Sequence, residues 1–580
     1  MTLLKLNCKS CMSGKCQQCI NENCLCRESH SKTELLQKFD DVASHFIDGF
    51  KKDLEFRKIL RKTNSLNEFK EICENTVKND PNLVYQIIFN GLSAFTPNPS
   101  HLMIMERTSE GKTYPALQIA QYFPKESVIT LASATPQSFK YEHGVLVNSN
   151  YESIEDELER FNEQLSSCQD KREHESIKKH IKSILKDSKT LVDLRGKWII
   201  FKEPPNVKLL EMLYSTLSND EEYSEHKLVN QSSSGKNQSF TIVLRGTPSM
   251  LICSARDETT SKRWMETFSR FTIVSPRSSK EKYKAGMSLI GKKIGLPKEI
   301  YEENVIDNEK KTRAKKIVQF LIDSLEGSKG EVFNPFIDRL AEVFPHDAGY
   351  RWRQRQRFDS LVVMNTLCNA GRRPSVEINQ RKIPIVTLED LTFATEISQE
   401  SDSLPPHKRI WYREVFLTSW KKNSETIEDL KISKPVLTGT RIKDFIEDSS
   451  DAKANVKAIR ETFLEPLYEH GYIDKTRDPR IHTRDVYWPV NENEKTKTSL
   501  IAIASFDVSC VRACLEKYLK QRFAYAFQNK TITEDELIQN VIAMPDIVPK
   551  DGNGVTAFDD DPATNTQQMT LHDTSQEKMQ

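Results

Sequence analysis

The stretch HLMIMERTSEGKTYPALQIAQ, residues 101–121, decides the fold class of this 580-residue chain. It opens with an apolar run of strand length, passes through Gly111-Lys112-Thr113, and continues in a helix-like pattern. Further apolar runs of strand length follow at 128–134, 198–201, 240–244 and 250–255. Strands that alternate with helices predict an α/β domain with a mainly parallel sheet, over about residues 80–280.

The composition excludes several classes of protein. The chain has 84 Lys and Arg against 83 Asp and Glu, so a globally basic, histone-like DNA binder is excluded and nucleic-acid contacts must come from local patches. Glycine is scarce, at 19 residues, which disfavours collagen-like and propeller-like architectures. No stretch approaches the roughly 20 apolar residues of a membrane helix, and the start lacks the apolar segment of a secretory signal. We therefore expect a soluble intracellular protein without a membrane partner.

The loop after the first strand matches the end of the phosphate-binding motif G-x-x-x-x-G-K-[ST]. In that motif backbone N–H groups at a helix start hold the phosphates, the lysine reaches the β and γ oxygens, and the hydroxyl ligates magnesium. The predicted nucleotide ligands are Ser109, Glu110, Gly111, Lys112, Thr113 and Tyr114. Glu106 occupies the first glycine position of the motif, where a side chain is unfavourable if φ must be positive. The alternative is an ordinary loop before a helix.

Three further residues are candidates for catalysis. Glu203 follows the apolar run 198–201, in the position of a carboxylate that activates water, although Lys202 stands where a magnesium-binding Asp is usual. Ser254 ends another buried run and is a candidate sensor of the γ-phosphate. Arg270 precedes a short apolar run and is a candidate to act on the nucleotide of a neighbouring subunit. The alternatives are a surface glutamate, a small core serine and a surface ion-pair partner.

The order SEGKT, IIFKEPP, a strand ending CSA, and SRF resembles the ring-forming AAA+ ATPases. It is most similar to the replicative helicases of the MCM and superfamily 3 type. The resemblance implies ATP and Mg²⁺ as ligands, a homo-oligomeric ring, DNA as partner, and an arginine finger at Arg270. It also implies a hairpin over 226–246 that points Lys236 into the channel, the alternative being an exposed loop with an incidental lysine. The insertion 151–188, a charged helix or helical hairpin, is longer than the usual connection in that family.

A cysteine-rich module occupies residues 1–31. Its candidate metal ligands are Cys8, Cys11, Cys16, Cys19, Cys24, Cys26 and His30. Paired C-x₂-C spacings are typical of tetrahedral zinc, and seven ligands suit two Zn²⁺ ions that share a thiolate. One zinc ion, or an iron–sulfur cluster, is the alternative.

Beyond residue 310 the pattern changes to helices followed by short strand pairs, which is typical of winged-helix domains. We predict two such domains, at 310–395 and 405–495, each with a basic patch. The candidate DNA-binding arginines are Arg351, Arg353, Arg355 and Arg357 in the first patch and Arg477, Arg480 and Arg484 in the second. Charge runs of this kind also occur on solvated helix faces.

The predicted fold is thus an α/β P-loop (AAA+-like) domain, preceded by the metal module and a helical region at 32–79. The winged-helix domains, a helical segment at 500–548 and a disordered tail at 549–580 follow it. The resemblance implies an ATP-dependent DNA translocase or helicase in replication, located in the cytoplasm of a prokaryote and associated with the nucleoid. The alternatives are a zinc and winged-helix regulator with a degenerate nucleotide switch, and a replication initiator.

Overall fold

The structure is a computed structural model. It describes residues 53–106, 111–132, 143–168, 170–218, 221–231, 237–254, 270–276, 279–301, 307–344, 351–400, 406–430, 434–449, 453–469, 471–490, 506–520 and 523–543, with positions 135, 136, 139, 303 and 432. The predicted metal module, the tail and the hairpin tip that carries Lys236 lie outside these residues. Within them, no helix is both long enough and apolar enough to cross a bilayer.

A five-stranded parallel sheet forms the centre of the α/β part. Its strands are β1 (His101–Met105), β2 (Val128–Leu131), β5 (Trp198–Phe201), β8 (Ser249–Ser254) and β9 (Thr272–Val274), in the order β2-β5-β8-β1-β9. Every residue of β1, β5 and β8 is buried. Strands buried on both faces read as continuous apolar runs, which is why the sequence predicted them.

Helices cover one face of this sheet. They are α1 (Ser65–Cys73), α2 (Pro81–Ser93), α3 (Thr113–Ala120) and α9 (Asn308–Ser328). Their apolar side chains form one core with Leu102, Ile200 and Leu251 of the sheet. The predicted helical region before residue 80 and the helix after residue 307 therefore belong to the core of the α/β domain.

The opposite face packs against α6 (Val207–Tyr214) and a second sheet. That sheet contains β3 (Val145–Val147), β4 (Lys189–Asp193), β6 (Tyr223–Gln231) and β7 (Asn237–Arg245), in the order β3-β4-β7-β6. The strands β6 and β7 pair antiparallel, as the predicted hairpin requires. The apolar run 240–244, predicted as a strand of the α/β domain, lies in this second sheet within β7.

The insertion 151–188 is a helical hairpin of α4 (Glu155–Ser167) and α5 (Lys171–Asp187), which connects β3 to β4. Asp170 caps α5 by accepting a hydrogen bond from the backbone N–H of Arg172. Neither helix has a buried residue. The hairpin therefore projects from the domain into solvent.

Two helices, α7 (Lys280–Gly295) and α8 (Lys298–Tyr301), lie in the chain between β9 and α9. A four-stranded antiparallel sheet follows, in the order β11-β10-β15-β16. Its elements are α10 (Ile337–Val343), α11 (Arg351–Cys368), β10 (Ser375–Ile378), β11 (Arg381–Pro384), α12 (Leu388–Glu400), α18 (Val508–Tyr518), β15 (Ala524–Phe527), β16 (Lys530–Ile532) and α19 (Glu534–Ile542). The segment 500–548 was predicted to be helical; it contains the helices α18 and α19, but the strands β15 and β16 between them extend the sheet of β10 and β11.

The remaining unit is built separately, around its own apolar cluster. Its elements are α13 (Pro406–Trp411), a π-helical turn (Tyr412–Leu417), α14 (Thr418–Asn423), β12 (Leu437–Thr438), α15 (Gly439–Ser449), α16 (Val456–Ile459), a second π-helical turn (Arg460–Leu464), α17 (Glu465–Glu469), β13 (Ile473–Asp478) and β14 (Ile481–Pro489). The three strands form a sheet in the order β12-β14-β13.

Candidate active site at the carboxyl edge of the parallel sheet

The carboxyl ends of three neighbouring strands meet at one edge of the central sheet. Met105, the last residue of β1, pairs with Ser254, the last residue of β8. The backbone N–H of Glu106 extends this pairing by donating to the Ser254 carbonyl at 3.3 Å. Glu106 thus lies at the end of the strand pair, where the motif has its first glycine. Ligands of open α/β sheets bind at the carboxyl ends of the strands, so this edge is the expected site.

The chain returns to the edge at Gly111 and starts helix α3. Gly111 has a φ of +75°, in the left-handed region that favours glycine. A Cβ atom on Gly111 would meet nothing within 4 Å, so backbone conformation and not space requires a glycine here. Lys112 is 9% exposed and directly precedes Thr113, the first helical residue. Ser109 and Glu110 lie outside the described residues.

Cys253, which sequence reasoning did not select, lies beneath the start of α3. Its sulfur is 3.7 Å from the Lys112 carbonyl oxygen, to which the thiol donates. Burial raises the pKa of the thiol to about 11, against a hydrogen bond with the Thr113 side chain that lowers it. The neutral thiol therefore fixes the helix start on β8. Cys253 directly precedes Ser254 in β8, so the two side chains lie on opposite faces of the strand. This adjacency to a candidate site residue is the feature of the sequence that could have identified Cys253.

Strand β5 brings a carboxylate to the same edge. Phe201 pairs with Ile252 of β8, so Glu203 follows the strand end beside Ser254. Glu203 and Lys202 are exposed, and no hydrogen bond or ion pair joins the Glu203 side chain to the described part of the chain. Ser254 is fully buried. Tyr114, on the first turn of α3, is 39% exposed, and partial burial raises the pKa of its phenol.

Arg270 lies at the opposite edge of the sheet. Leu102 pairs with Thr272, so the residues before β9 are level with the start of β1. The guanidinium of Arg270 packs over the Tyr214 ring, 4.2 Å from its centroid. The two edges are about 13 Å apart, because four residues of strand separate them. Arg270 is therefore distant from Lys112 of the same chain.

The arginines of α11 have different environments. Arg351 was predicted to contact DNA, but it is 1% exposed, and its guanidinium packs against Gly471 and hydrogen-bonds Gln354 at 2.7 Å. It is therefore unavailable to a DNA backbone. Arg355 forms an ion pair with Asp359 at 2.7 Å, and burial lowers the pKa of Arg357 to about 10. Arg353 is exposed.

The arginines of the β13–β14 hairpin are paired with carboxylates. The buried Asp478 accepts from Arg480 at 3.1 Å and from Arg484 at 2.5 Å. These hydrogen bonds hold the pKa of Asp478 well below its usual range. Arg480 also pairs with Glu425 at 2.6 Å. Arg477, 65% exposed, pairs with Asp485 at 3.0 Å. The arginines of this hairpin are thus partly exposed but paired with carboxylates of the same chain.

The predicted metal ligands lie outside the described residues, and the described part of the chain contains no group of His, Cys, Asp and Glu arranged to hold a metal ion. No model of a known protein family matches the chain, and no curated protein matches it at a significant level. The functional assignment therefore rests on the residues at the carboxyl edge and on their geometry.

Proposed function

We propose that this protein is an ATP-driven, ring-forming DNA translocase or helicase that acts in replication. One observation carries the proposal: the start of α3 at Gly111-Lys112-Thr113, the buried Ser254 and the exposed Glu203 converge on one edge of a parallel sheet. A phosphate site, a polar strand end and a carboxylate in this arrangement are what nucleotide hydrolysis requires.

The nucleotide phosphates bind at the start of α3. The first N–H groups of a helix have no partner within the helix and lie at the positive end of its dipole, so they attract anions. Lys112 adds a positive charge, and Thr113 is the candidate magnesium ligand. When bound, magnesium supplies positive charge that offsets the negative charge of the transferred phosphate.

Glu203 orients and deprotonates the attacking water. Its exposure and its lack of a hydrogen-bonded partner among the described residues leave its oxygens accessible to water. Ser254 ends β8 between the ends of β1 and β5 and is the candidate sensor of the γ-phosphate. Arg270 acts on the nucleotide of a neighbouring subunit, because it lies at the edge far from the site of its own chain.

DNA contact involves the β6–β7 hairpin with Lys236 at its tip, and the C-terminal basic residues. The order of helices, strand and hairpin in the unit from α13 to β14 supports its interpretation as a winged helix. The candidate contacts there and on α11 are Arg353, Arg355, Arg357, Arg477, Arg480 and Arg484. Arg353 and Arg477 are exposed, whereas Arg480 and Arg484 are held by the buried Asp478. The N-terminal cysteines are proposed to bind zinc, on their spacing alone.

A second candidate function is a DNA-binding regulator whose nucleotide site is a switch without turnover. Lys202 favours it, because an exposed ammonium stands where a magnesium-binding carboxylate is usual. The two functions differ in whether ATP is consumed and in whether DNA accelerates its consumption.

The test is ATP hydrolysis by the full chain, with and without single-stranded DNA. We expect DNA to stimulate turnover in the wild type and both Lys112→Ala and Glu203→Gln to abolish it. Glu126→Gln, an exposed glutamate just before β2 at the opposite edge, serves as the matched control and retains turnover. Absence of turnover in the wild type, with DNA binding intact, would exclude the motor and leave the regulator.

A further inference from the structure

The α4–α5 hairpin is held together by a narrow apolar seam. The seam consists of the half-buried side chains Leu158, Phe161, Leu165, Ile177, Ile181 and Ile184. The Phe161 and His180 rings meet edge to face, with centroids 4.8 Å apart. These positions recur at three- and four-residue intervals, as in an antiparallel coiled coil. The other faces of both helices are exposed.

The outward faces of the two helices carry opposite charges at the same spacing. Helix α4 presents Asp156, Glu159 and Glu163, and helix α5 presents Lys179, Lys182 and Lys186, with the exposed Glu175 one turn before Lys179 on the same face. Both triplets follow the pattern i, i+3, i+7, so each extends about 10 Å along its helix. All six side chains are exposed.

Within the described residues, no ion pair neutralises these charges. None of the six side chains forms a salt bridge with another residue in the part of the chain that the structure describes. This differs from the β13–β14 hairpin, where Asp478 holds Arg480 and Arg484. The two triplets are therefore available to a partner from outside the chain.

The charge of the whole hairpin decides which partner fits. Residues 155–187 contain nine Asp and Glu against seven Lys and Arg, so the element is slightly acidic. A nucleic acid would be attracted by α5 but repelled by the adjacent α4. A partner with a positive and a negative face at matching spacing fits both helices, and this chain presents such a pair of faces.

We propose that the hairpin is an interface between two copies of this protein, in which α4 of one copy lies against α5 of the other. Asp156, Glu159 and Glu163 then face Lys179, Lys182 and Lys186 of the second copy. An exposed ion pair contributes only about 0–1 kcal/mol, so a set of three gives a weak contact. Salt weakens it further, because the Debye length is about 8 Å at physiological ionic strength. This association goes beyond the proposed function and needs no nucleotide.

Sedimentation velocity of the full chain, without nucleotide, at low and high salt tests the proposal. We expect a self-association that weakens as salt increases. Lys179→Glu/Lys182→Glu/Lys186→Glu makes both faces acidic, and Asp156→Lys/Glu159→Lys/Glu163→Lys makes both basic. Each triple variant alone is expected to associate at least tenfold more weakly than the wild type. An equimolar mixture of the two is expected to associate again, because acidic faces then meet basic ones.

The controls separate this proposal from its alternatives. Lys179→Arg/Lys182→Arg/Lys186→Arg retains the charges and is expected to associate like the wild type. Lys112→Ala leaves the association unchanged, so a failure of the nucleotide site does not affect the result. Self-association that is equal in the wild type and the acidic variant would overturn the proposal. A loss of DNA binding in that variant, with unchanged association, would instead assign α5 to nucleic acid and also overturn it.

Discussion

At the amino edge of the central sheet Asn90, Trp198 and Ser249 are buried and hydrogen-bonded, whereas at the carboxyl edge Glu203 is exposed and Lys112 lies at a helix start. Asn90 of α2 is the centre of the amino edge. Its Nδ2 donates to the Ser100 carbonyl at 2.7 Å, and the Trp198 indole N–H donates to its Oδ1 at 2.8 Å. Ser249 Oγ donates to the Asn90 carbonyl at 2.6 Å.

The two edges separate the contacts that stabilise this domain from the residues proposed for nucleotide chemistry. The hydrogen bonds of Asn90 with Ser100, Trp198 and Ser249 fix the register of α2 against three strands. At the carboxyl edge Gly111 has a left-handed backbone and Glu203 is exposed, an arrangement that adds little to stability. Substitutions at the amino edge should therefore affect folding, and those at the carboxyl edge should affect nucleotide chemistry.

The largest expected effect is that of Glu203→Gln. Loss of a general base slows hydrolysis by about 10²–10⁴-fold, while an exposed substitution changes the free energy of unfolding by at most about 0.5 kcal/mol. Single-turnover hydrolysis and thermal unfolding, measured on the same preparation, check both parts. A variant that unfolds readily but hydrolyses ATP normally would remove the distinction between the edges.

Next in size is Asn90→Ala at the amino edge. The substitution leaves the Trp198 N–H and the Ser100 and Met250 carbonyls without this partner. The orphaned Trp198 N–H costs about 1–3 kcal/mol, and each hydrogen bond lost to the Ser100 and Met250 carbonyls costs about 0.5–1.5 kcal/mol. We therefore expect the free energy of unfolding to fall by about 3–4 kcal/mol. Urea unfolding measures the loss, and ATP affinity at a temperature where the variant remains folded should be unchanged.

His101 makes the amino edge sensitive to acid. Burial, with the positive charges of Arg270 and Arg357, lowers the pKa of His101 to about 4, although a hydrogen bond to the Leu217 backbone opposes this. The unfolded state, with a histidine pKa near 6.5, therefore binds a proton at a pH where the folded state does not. Above about pH 6.5 the histidine is neutral in both states and does not lower the free energy of unfolding. As the pH falls from 6.5 toward 4, the free energy of unfolding decreases by about 3 kcal/mol in total.

The measurement is the free energy of unfolding between pH 7 and pH 4 for the wild type and His101→Phe. The difference between the two proteins isolates the histidine from the carboxylates that titrate in the same range. Parallel pH profiles would show that His101 is protonated equally in the folded and unfolded states.

The smallest expected effect is that of Gly111→Ala. The left-handed φ of Gly111 is unfavourable for alanine by about 1 kcal/mol, so the phosphate-binding conformation becomes less populated. We expect about a fivefold weaker affinity for ATP, by calorimetric titration. Gly291→Ala in the exposed helix α7 is the matched control, because alanine favours a helix and leaves the affinity unchanged. An equal loss in the control would contradict the role assigned to Gly111.

The central sheet could be predicted from the sequence because β1, β2, β5 and β8 are continuous apolar runs. The strand β9 has only three residues and was not distinguishable from a loop. The same limit applies to β15 and β16, because β15 pairs with β10, about 150 positions earlier in the chain, and β16 pairs with β15. Short strands acquire their identity from partners that local sequence does not specify.

For the candidate site, the motif Gly111-Lys112-Thr113 predicted the start of α3. The apolar run before Glu203 predicted that this carboxylate follows the carboxyl end of a buried strand. The burial of Arg351 could not be predicted, because Gly471, which contacts it, is distant in sequence. Likewise, the basic residues around Arg480 suggested a free positive surface. Only the folded hairpin brings Asp478 and Glu425 against that arginine.

Calorimetric titration of ATP and Mg²⁺ into the wild-type protein and Lys112→Ala addresses the nucleotide site most directly. We expect saturable binding of one ATP per chain to the wild type and at least a tenfold weaker affinity in the variant, because a buried positive charge at the helix start is removed. Thermal unfolding of both proteins without nucleotide shows whether the variant is folded. Equal affinities in two folded proteins would contradict a phosphate site at the carboxyl edge.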